Sequence, residues 1–272
     1  VKGIMKRIFE QFNINKDDDK WDIYIPCGYN KVEYELKNIY SNKDQKIFGI
    51  SGCDKIVSKN NLWNILNNYY GREKARTIMP ESFLLSDSSD IDILEQQFNN
   101  NDTYILKKNL QRKKGLELTR DFNTIKNSYY RGFKVVQRYL NDVFIINKRK
   151  MNLRMYMLVV CTNNNKTIYI HKQGKCLYTS KDVTNKNSLD FDENITNSYK
   201  LDKNIYNNNP LTINNLKDYL DKNNYDSKLL FDKINKILVL LAKAITKPLC
   251  NLSNIKKNTT FQLFGLDVIF DT

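Results

Sequence analysis

Lys150, Asn152 and Arg154 stand on alternate positions at the head of a segment that continues as the apolar run Met155-Tyr-Met-Leu-Val-Val160. In an extended chain alternate residues share a face, so two cations and an amide lie on one side and Met151, Leu153 and Met155 on the other. One face can pack on a core while the other meets something anionic, and a phosphate-bearing ligand suits those donors. A second strand-like segment, Phe261 to Asp271, carries the opposite charge, because Asp267 and Asp271 have equal parity and fall on the face of Ile269. Two carboxylates among Val, Ile and Phe are costly unless a cation pairs with them. Mg²⁺, bridging them to nucleotide phosphates, is the partner expected there.

Other residues gain or lose meaning by their setting. Tyr104-Ile-Leu106 reads as a strand leading into the basic loop Lys107 to Gly115, where a lysine and backbone N–H groups could cover a phosphate. Taken alone, such a loop is more often solvated surface. Gln137 follows the strand-like Val135-Val136, and its amide can both give and accept hydrogen bonds beside the apolar Leu140. His171 is the only histidine, so a Ser/His/Asp or Cys/His mechanism would have to use it and a multi-histidine zinc site is excluded. The five cysteines, Cys27, Cys53, Cys161, Cys176 and Cys250, are widely and irregularly spaced with no C-x-x-C, and read as free thiols.

In sequence order, Tyr104-Ile-Leu-Lys-Lys-Asn-Leu-Gln-Arg-Lys-Lys-Gly-Leu-Glu-Leu118, Val135-Val-Gln-Arg-Tyr-Leu140, Lys150-Met-Asn-Leu-Arg154, Asn194-Ile-Thr-Asn197 and Phe261-Gln-Leu-Phe-Gly-Leu-Asp267 resemble the signature segments of the tubulin–tyrosine ligase-like family. The resemblance runs from about Cys53 to the last residue. It implies an ATP-grasp fold of the α+β class, with mixed and antiparallel sheets flanked by helices. It also implies an ATP- and Mg²⁺-dependent ligase that joins a free amino acid to a protein carboxylate through an acyl-phosphate. The acceptor implied is an acidic, tubulin-like protein tail.

On this resemblance Lys107 maps to a nucleotide-contacting lysine and Gly115 to the later glycine of its loop. Gln137, Arg138, Tyr139 and Leu140 map to the adenine pocket. Lys150 and Asn152 map to the nucleotide pocket, Asp267 to a metal ligand, and Arg154 to the catalytic arginine that approaches the amino acid or the acyl-phosphate. Thr196 and Asn197 map to a Thr-Asn pair near the acceptor site, with Asn197 counted among the nucleotide-site residues. There are departures. Lys113 occupies an earlier glycine position, Asn152 replaces an acidic residue that holds ribose hydroxyls, and Asn194 stands where a histidine often precedes Thr-Asn. Leu177 falls where many members carry an arginine for the amino-acid carboxylate, which leaves the amino acid open. A strand ending in Glu-x-Asn would complete the Mg²⁺ site, but the chain given runs from Val1 to Thr272 without it, so an incomplete core with weakened activity is expected.

The elements that must position these residues are partly legible. The chain has 272 residues with 41% apolar content, enough for a sizeable core. Residues 1–52 read as an N-terminal lobe without a nameable role, and residues 53–272 as the ligase-like core. Asn61 to Tyr70 has helical spacing with Gly71 as its stop, and Leu229 to Ile245 repeats at three and four residues with Asp226 or Ser227 as cap. Asp87 to Asp102 reads as a polar loop with a short helix, and Thr167 to His171 as a hairpin partner of Met155 to Cys161. No run approaches the roughly 20 apolar residues of a membrane span, so no membrane partner and a cytoplasmic, monomeric protein are expected. The net charge of +14 fits an acidic protein partner, non-specific nucleic-acid contact or a coding bias toward Lys, Asn, Ile and Tyr. The competing functional class is a non-catalytic protein of the same fold that binds acidic tails or nucleic acid.

Overall fold

The computed structural model describes residues 4–15, 20–26, 32–110, 115–163, 165–185, 188–197 and 203–270. Cys27, Lys113 and Asp271 lie outside the described residues, as does the side chain of Asn197. In chain order come α1 (Ile4–Gln11), β1 (Ile23–Tyr24), α2 (Val32–Asn38), β2 (Lys46–Phe48), α3 (Cys53–Val57), α4 (Lys59–Tyr70), α5 (Arg72–Ala75), β3 (Ser82–Leu84), α6 (Ser88–Gln97), β4 (Tyr104–Lys107) and β5 (Leu116–Thr119). Then follow α7 (Phe122–Lys126), β6 (Val135–Arg138), β7 (Ile145–Ile146), β8 (Arg149–Thr162), β9 (Asn165–Ile170), β10 (Lys175–Thr179), α8 (Phe191–Asn194), β11 (Thr196–Asn197), α9 (Ile213–Lys222), α10 (Ser227–Ile245) and β12 (Thr259–Val268). Sheets flanked by helices place the chain in the expected α+β class. No helix among the described residues is long and apolar enough to cross a membrane.

Two compact units divide the chain. The first joins residues 1–51 with 160–166 and 250–262. In it β1 pairs with β2 and β2 with the start of β12, both parallel, and Gly49 N donates to Phe261 O at 2.8 Å. Cys161 and Cys250 form a disulfide in this unit, with Cα atoms 6.4 Å apart, which corrects the expectation of free thiols. A separation of 89 residues has no local signature, because only the fold brings the end of β8 beside the chain after α10. Cys53 and Cys176 are free and buried.

The second unit, residues 52–159, 167–249 and 263–272, holds two sheets. The smaller is antiparallel with strand order β3-β6-β4-β5. Its strands are apolar on both faces, and both are covered. Phe83, Tyr104, Leu106 and Val136 pack with Leu94 of α6 and Ile125 of α7, whereas Leu84 and Val135 pack with Trp63 and Leu66 of α4 and Ala244 of α10. The other sheet is organised by β8, which pairs antiparallel with β10 in the register Leu177↔Asn152 and Tyr178↔Met151. Met151, Leu153 and Met155 point into a core closed by α9 and α10 through Ile213, Leu216, Leu220, Phe231, Ile234 and Leu238.

The predicted helix stops and caps are present. Gly71 ends α4 with φ of 78°, and the Asp226 carboxylate caps α10 by accepting Leu229 N at 2.8 Å. The segment read as a polar loop with a short helix holds the ten-residue helix α6. Its polar composition conceals one buried stripe, where Leu94 meets the Phe83 cluster and Asp90 accepts from Arg72 Nη1 and Leu84 N at 2.7 Å each.

Leu153 is fully buried in the β8 core. Leu153→Ala should cost about 2–5 kcal/mol in urea unfolding. Val239→Ala on the exposed side of α10, where the residue is 54% exposed, should stay within about 0.5 kcal/mol. Equal costs would show that α9 and α10 do not close on β8 as described.

Candidate functional site

The register of the four-stranded sheet decides where Lys107 goes. Tyr104 and Leu106 face the Phe83 cluster, so Ile105 and Lys107 face the opposite side, and Gln137 shares that side by alternation from Val136. Lys107 Nζ donates to Gln137 Oε1. The Gln137 NH₂ donates to Ser82 Oγ at 2.7 Å and Pro80 O at 3.0 Å, so both its protons are taken on the far side. Arg72 fixes that backing segment, with bonds to Glu81 at 2.8 Å and to Ser82 O at 3.3 Å while it lies over the Trp63 and Phe83 rings. Burial, with the like charge of Lys59 added, brings Lys107 down to about 8.

Tyr139 lies two residues beyond Gln137 and receives the second lysine. Lys150 Nζ stands 4.8 Å from the Tyr139 ring centre, donates to its hydroxyl at 3.2 Å and to Asn194 Oδ1 at 2.7 Å. The hydroxyl donates onward to Asn194 O at 2.7 Å, so it meets the lysine with a lone pair. The Asn194 NH₂ donates to Ser188 O and Asp190 O, each at 2.8 Å. Lys150 is 3% exposed, and burial outweighs the carboxylates of Asp142 and Glu193 to bring it down to about 8.

Among the described residues neither lysine has an ion-pair partner. Each ammonium has three N–H donors, of which Lys150 uses two on protein and Lys107 one. Asn152, on the same face of β8 as Lys150, is buried and its Oδ1 has no hydrogen-bond partner. Two cations without ion-pair partners and an orphaned acceptor fit a ligand that brings several negative charges and a hydroxyl or amine donor, as a nucleotide does.

Arg154 and Asp267 were expected to serve different partners, and here they serve each other. The guanidinium donates from Nε at 2.6 Å and Nη2 at 2.9 Å to the two Asp267 oxygens. Gly265 makes the crossing possible, since a Cβ there would lie 3.1 Å from Arg154 Nη1 and 3.2 Å from its Cδ. The carboxylate is half-exposed, which lowers the desolvation cost anticipated for an apolar strand, and its cation is internal. No three His, Cys, Asp or Glu side chains cluster for a metal among the described residues. Asp267 is held by Arg154 in this arrangement.

The remaining expected residues occupy varied settings. Gly115 has φ of 74° and accepts Lys108 N at 2.8 Å, closing β4 onto β5, and a Cβ would strike the Lys108 side chain at 2.7 Å. Arg138 approaches Asp102 at 3.7 Å, and its backbone N–H and that of Tyr139 are taken by Glu81 O and Thr103 O. Leu140 is half-buried beyond the end of β6. Asn197 pairs with Tyr178 on β11, and His171 caps an exposed turn with Gln173. Asn194, Ser82, Pro80 and Lys59 escape sequence reasoning as site residues, since nothing local distinguishes an amide that meets a lysine from any other.

With this geometry in hand, comparison with known proteins is informative. The profile of the tubulin-tyrosine ligase family matches residues 37–272. The chain is 26% identical over 161 residues to the probable tubulin polyglutamylase TTLL2 of Mus musculus, covering 55% of this chain and 28% of that protein. It is 23% identical over 279 aligned residues to the tubulin monoglutamylase TTLL4 of Mus musculus, covering 96% of this chain and 23% of that protein. It is 28% identical over 155 residues to the tubulin polyglutamylase ttll-5 of Caenorhabditis elegans, covering 50% and 21%. The chain thus spans about a quarter of the length of the curated relatives it matches.

A phosphate ligand binds the protonated amines, and Lys107 and Lys150 lose their protons as pH rises through about 8. ADP, whose terminal phosphate ionises at roughly pH 6 like other phosphate monoesters, is then a probe with constant charge. Its affinity by calorimetry should fall from pH 7 to 9 by about tenfold for each lysine in contact. A flat profile would place the nucleotide elsewhere.

Proposed function

Because the chain belongs to the tubulin-tyrosine ligase family, we propose that it is an ATP-dependent ligase that joins an amino acid to a protein carboxylate. The observation that carries this reading is the pair of lysines, buried Lys150 and half-buried Lys107, each held by a neutral amide and without an ion-pair partner among the described residues. ATP would supply the phosphoryl group that activates the carboxylate as an acyl-phosphate, which an amino group then displaces to form an amide. Lys107 and Lys150 would hold its phosphates, and Asn152 Oδ1 would accept from a sugar hydroxyl.

Arg154 is placed to meet an anion once released from Asp267, and a Mg²⁺ ion arriving on the nucleotide would find Asp267 as its protein contact, since such ions need few carboxylates. The relatives named as monoglutamylase and polyglutamylases make glutamate the first amino acid to test. An acidic, tubulin-like tail is the proposed acceptor, drawn by the charge of +14, with nucleic acid held only non-specifically. The Arg154–Asp267 pair favours one alternative, a nucleotide- or tail-binding protein without turnover, because in it the two groups satisfy each other.

The test is ADP release with glutamate and a Glu-rich peptide, beside calorimetry with a nonhydrolysable ATP analogue. Lys150→Ala should weaken analogue binding by roughly 1.5–3 kcal/mol, the range for a hydrogen bond to a charged group. Binding without ADP release would favour the non-catalytic alternative. A folded protein that binds no analogue at millimolar concentration would overturn the ligase reading and leave only the tail-binding alternative.

A further inference from the structure

Lys107 and Lys150 sit on different strands, yet each is held by the same device. Each ammonium meets a side-chain carboxamide oxygen, Gln137 Oε1 for one and Asn194 Oδ1 for the other. In both amides the NH₂ group is spent behind, on Ser82 Oγ and Pro80 O for Gln137 and on Ser188 O and Asp190 O for Asn194. An amide with both N–H bonds tied down cannot turn its oxygen away, because the flipped form would aim donors at an ammonium and an acceptor at carbonyls.

Buried lysines are ordinarily paired with carboxylates. A carboxylate was within one residue of Asn194, since Glu193 is also buried, but it accepts from Thr184 N at 3.3 Å and Thr184 Oγ1 at 3.0 Å instead. The like charge of Lys59 acts on Lys107 and adds to the positive field. A carboxylate would position either lysine equally well but cancel its charge. A carboxamide positions it and leaves the charge for a ligand.

We propose that Gln137 and Asn194 are neutral clamps, positioning residues that aim two lysine ammoniums at one polyphosphate without pairing with either charge. The inference rests on the nucleotide reading above and deepens it. The phosphate chain supplies the recognition at this point, and the requirement is for amides, so the closest isosteres are the most damaging replacements.

The test replaces each amide separately in the full chain, as Gln137→Glu and Asn194→Asp for the charge, and as Gln137→Met and Asn194→Leu for loss of the clamp alone. Thermal melts identify the folded variants. Lysine ¹³Cε shifts followed against pH by NMR report each ammonium without any ligand, and calorimetry with the ATP analogue reports affinity. Each carboxylate variant should raise the titration of its own lysine and weaken the analogue at least tenfold at pH 7, with KM for ATP rising more than kcat falls. The apolar variants should weaken it less and not raise the titration. If Asn194→Asp fails to fold, Gln137→Glu decides, because Ser82 Oγ can still donate to a carboxylate there. Folded carboxylate variants that bind the analogue as tightly as the natural chain would overturn the proposal. If the natural chain binds no nucleotide, the ligase reading fails by itself, and the clamps are judged by the titrations, where an unmoved lysine sinks them.

Discussion

Desolvating an ammonium without an ion-pair partner is costly, and the larger unit does so at buried Lys150 and at half-buried Lys107. Such groups stay in place only when the surrounding frame is stiff enough to deny them an easy escape to water. The four-stranded sheet supplies stiffness for Lys107 by packing on both faces, so that Gln137 and Ser82 cannot shift without disturbing Val135, Val136 and Phe83. Behind them, Arg72 ties Glu81 and Asp90 together at 2.8 and 2.7 Å, so the ionic network braces the strand that backs the amide. For Lys150 the frame is β8, whose opposite face is locked by Leu153 and Met155 against α9 and α10.

The segment that holds Asn194 shows how an irregular stretch reaches comparable order. Its backbone turns on side-chain bonds: Asp190 accepts Asp192 N at 2.8 Å, Ser188 Oγ accepts Asp190 N at 3.1 Å, and Lys181 reaches Asp190 at 2.6 Å. Short polar residues favour such local bonds over helix or strand, which is why the stretch is rich in Asn, Asp and Ser. The outcome is a fixed acceptor for a buried cation in a region without long elements.

Arg154 and Asp267 form the contrasting arrangement. Their bidentate pair is partly exposed and compensated, so little is stored in it, and it can open at modest cost when another anion or cation arrives. The lysines meet neutral amides, whereas the arginine and aspartate meet each other. Gly265 eases the crossing of β12 by the guanidinium, because a Cβ there would press on Arg154 Nη1 and Cδ at 3.1 and 3.2 Å.

The sequence by itself determined the alternating faces of β8 with Lys150 and Asn152 on one of them, the stop at Gly71 and the cap at Asp226, because period and parity are local properties of a chain, whereas Lys107 and Gln137 stood out only through the resemblance of their segments to a known family. The short helix within Asp87 to Asp102 was legible, but the face on which α6 packs was not, since one buried Leu and one buried Asp make no hydrophobic stripe until Phe83 and Arg72 face them. The Cys161–Cys250 bond and the Arg154–Asp267 pair were likewise beyond local reading, with partners 89 and 113 residues apart. Gln137 was legible as a polar group at a strand end, but which way its amide points was decided by Pro80 and Ser82. Asn194 was an ordinary asparagine until Ser188, Asp190, Tyr139 and Lys150 surrounded it. Residue type and spacing set what a side chain can donate or accept, and only the tertiary structure, by choosing neighbours distant in sequence, decides which donors and acceptors are left over for a ligand.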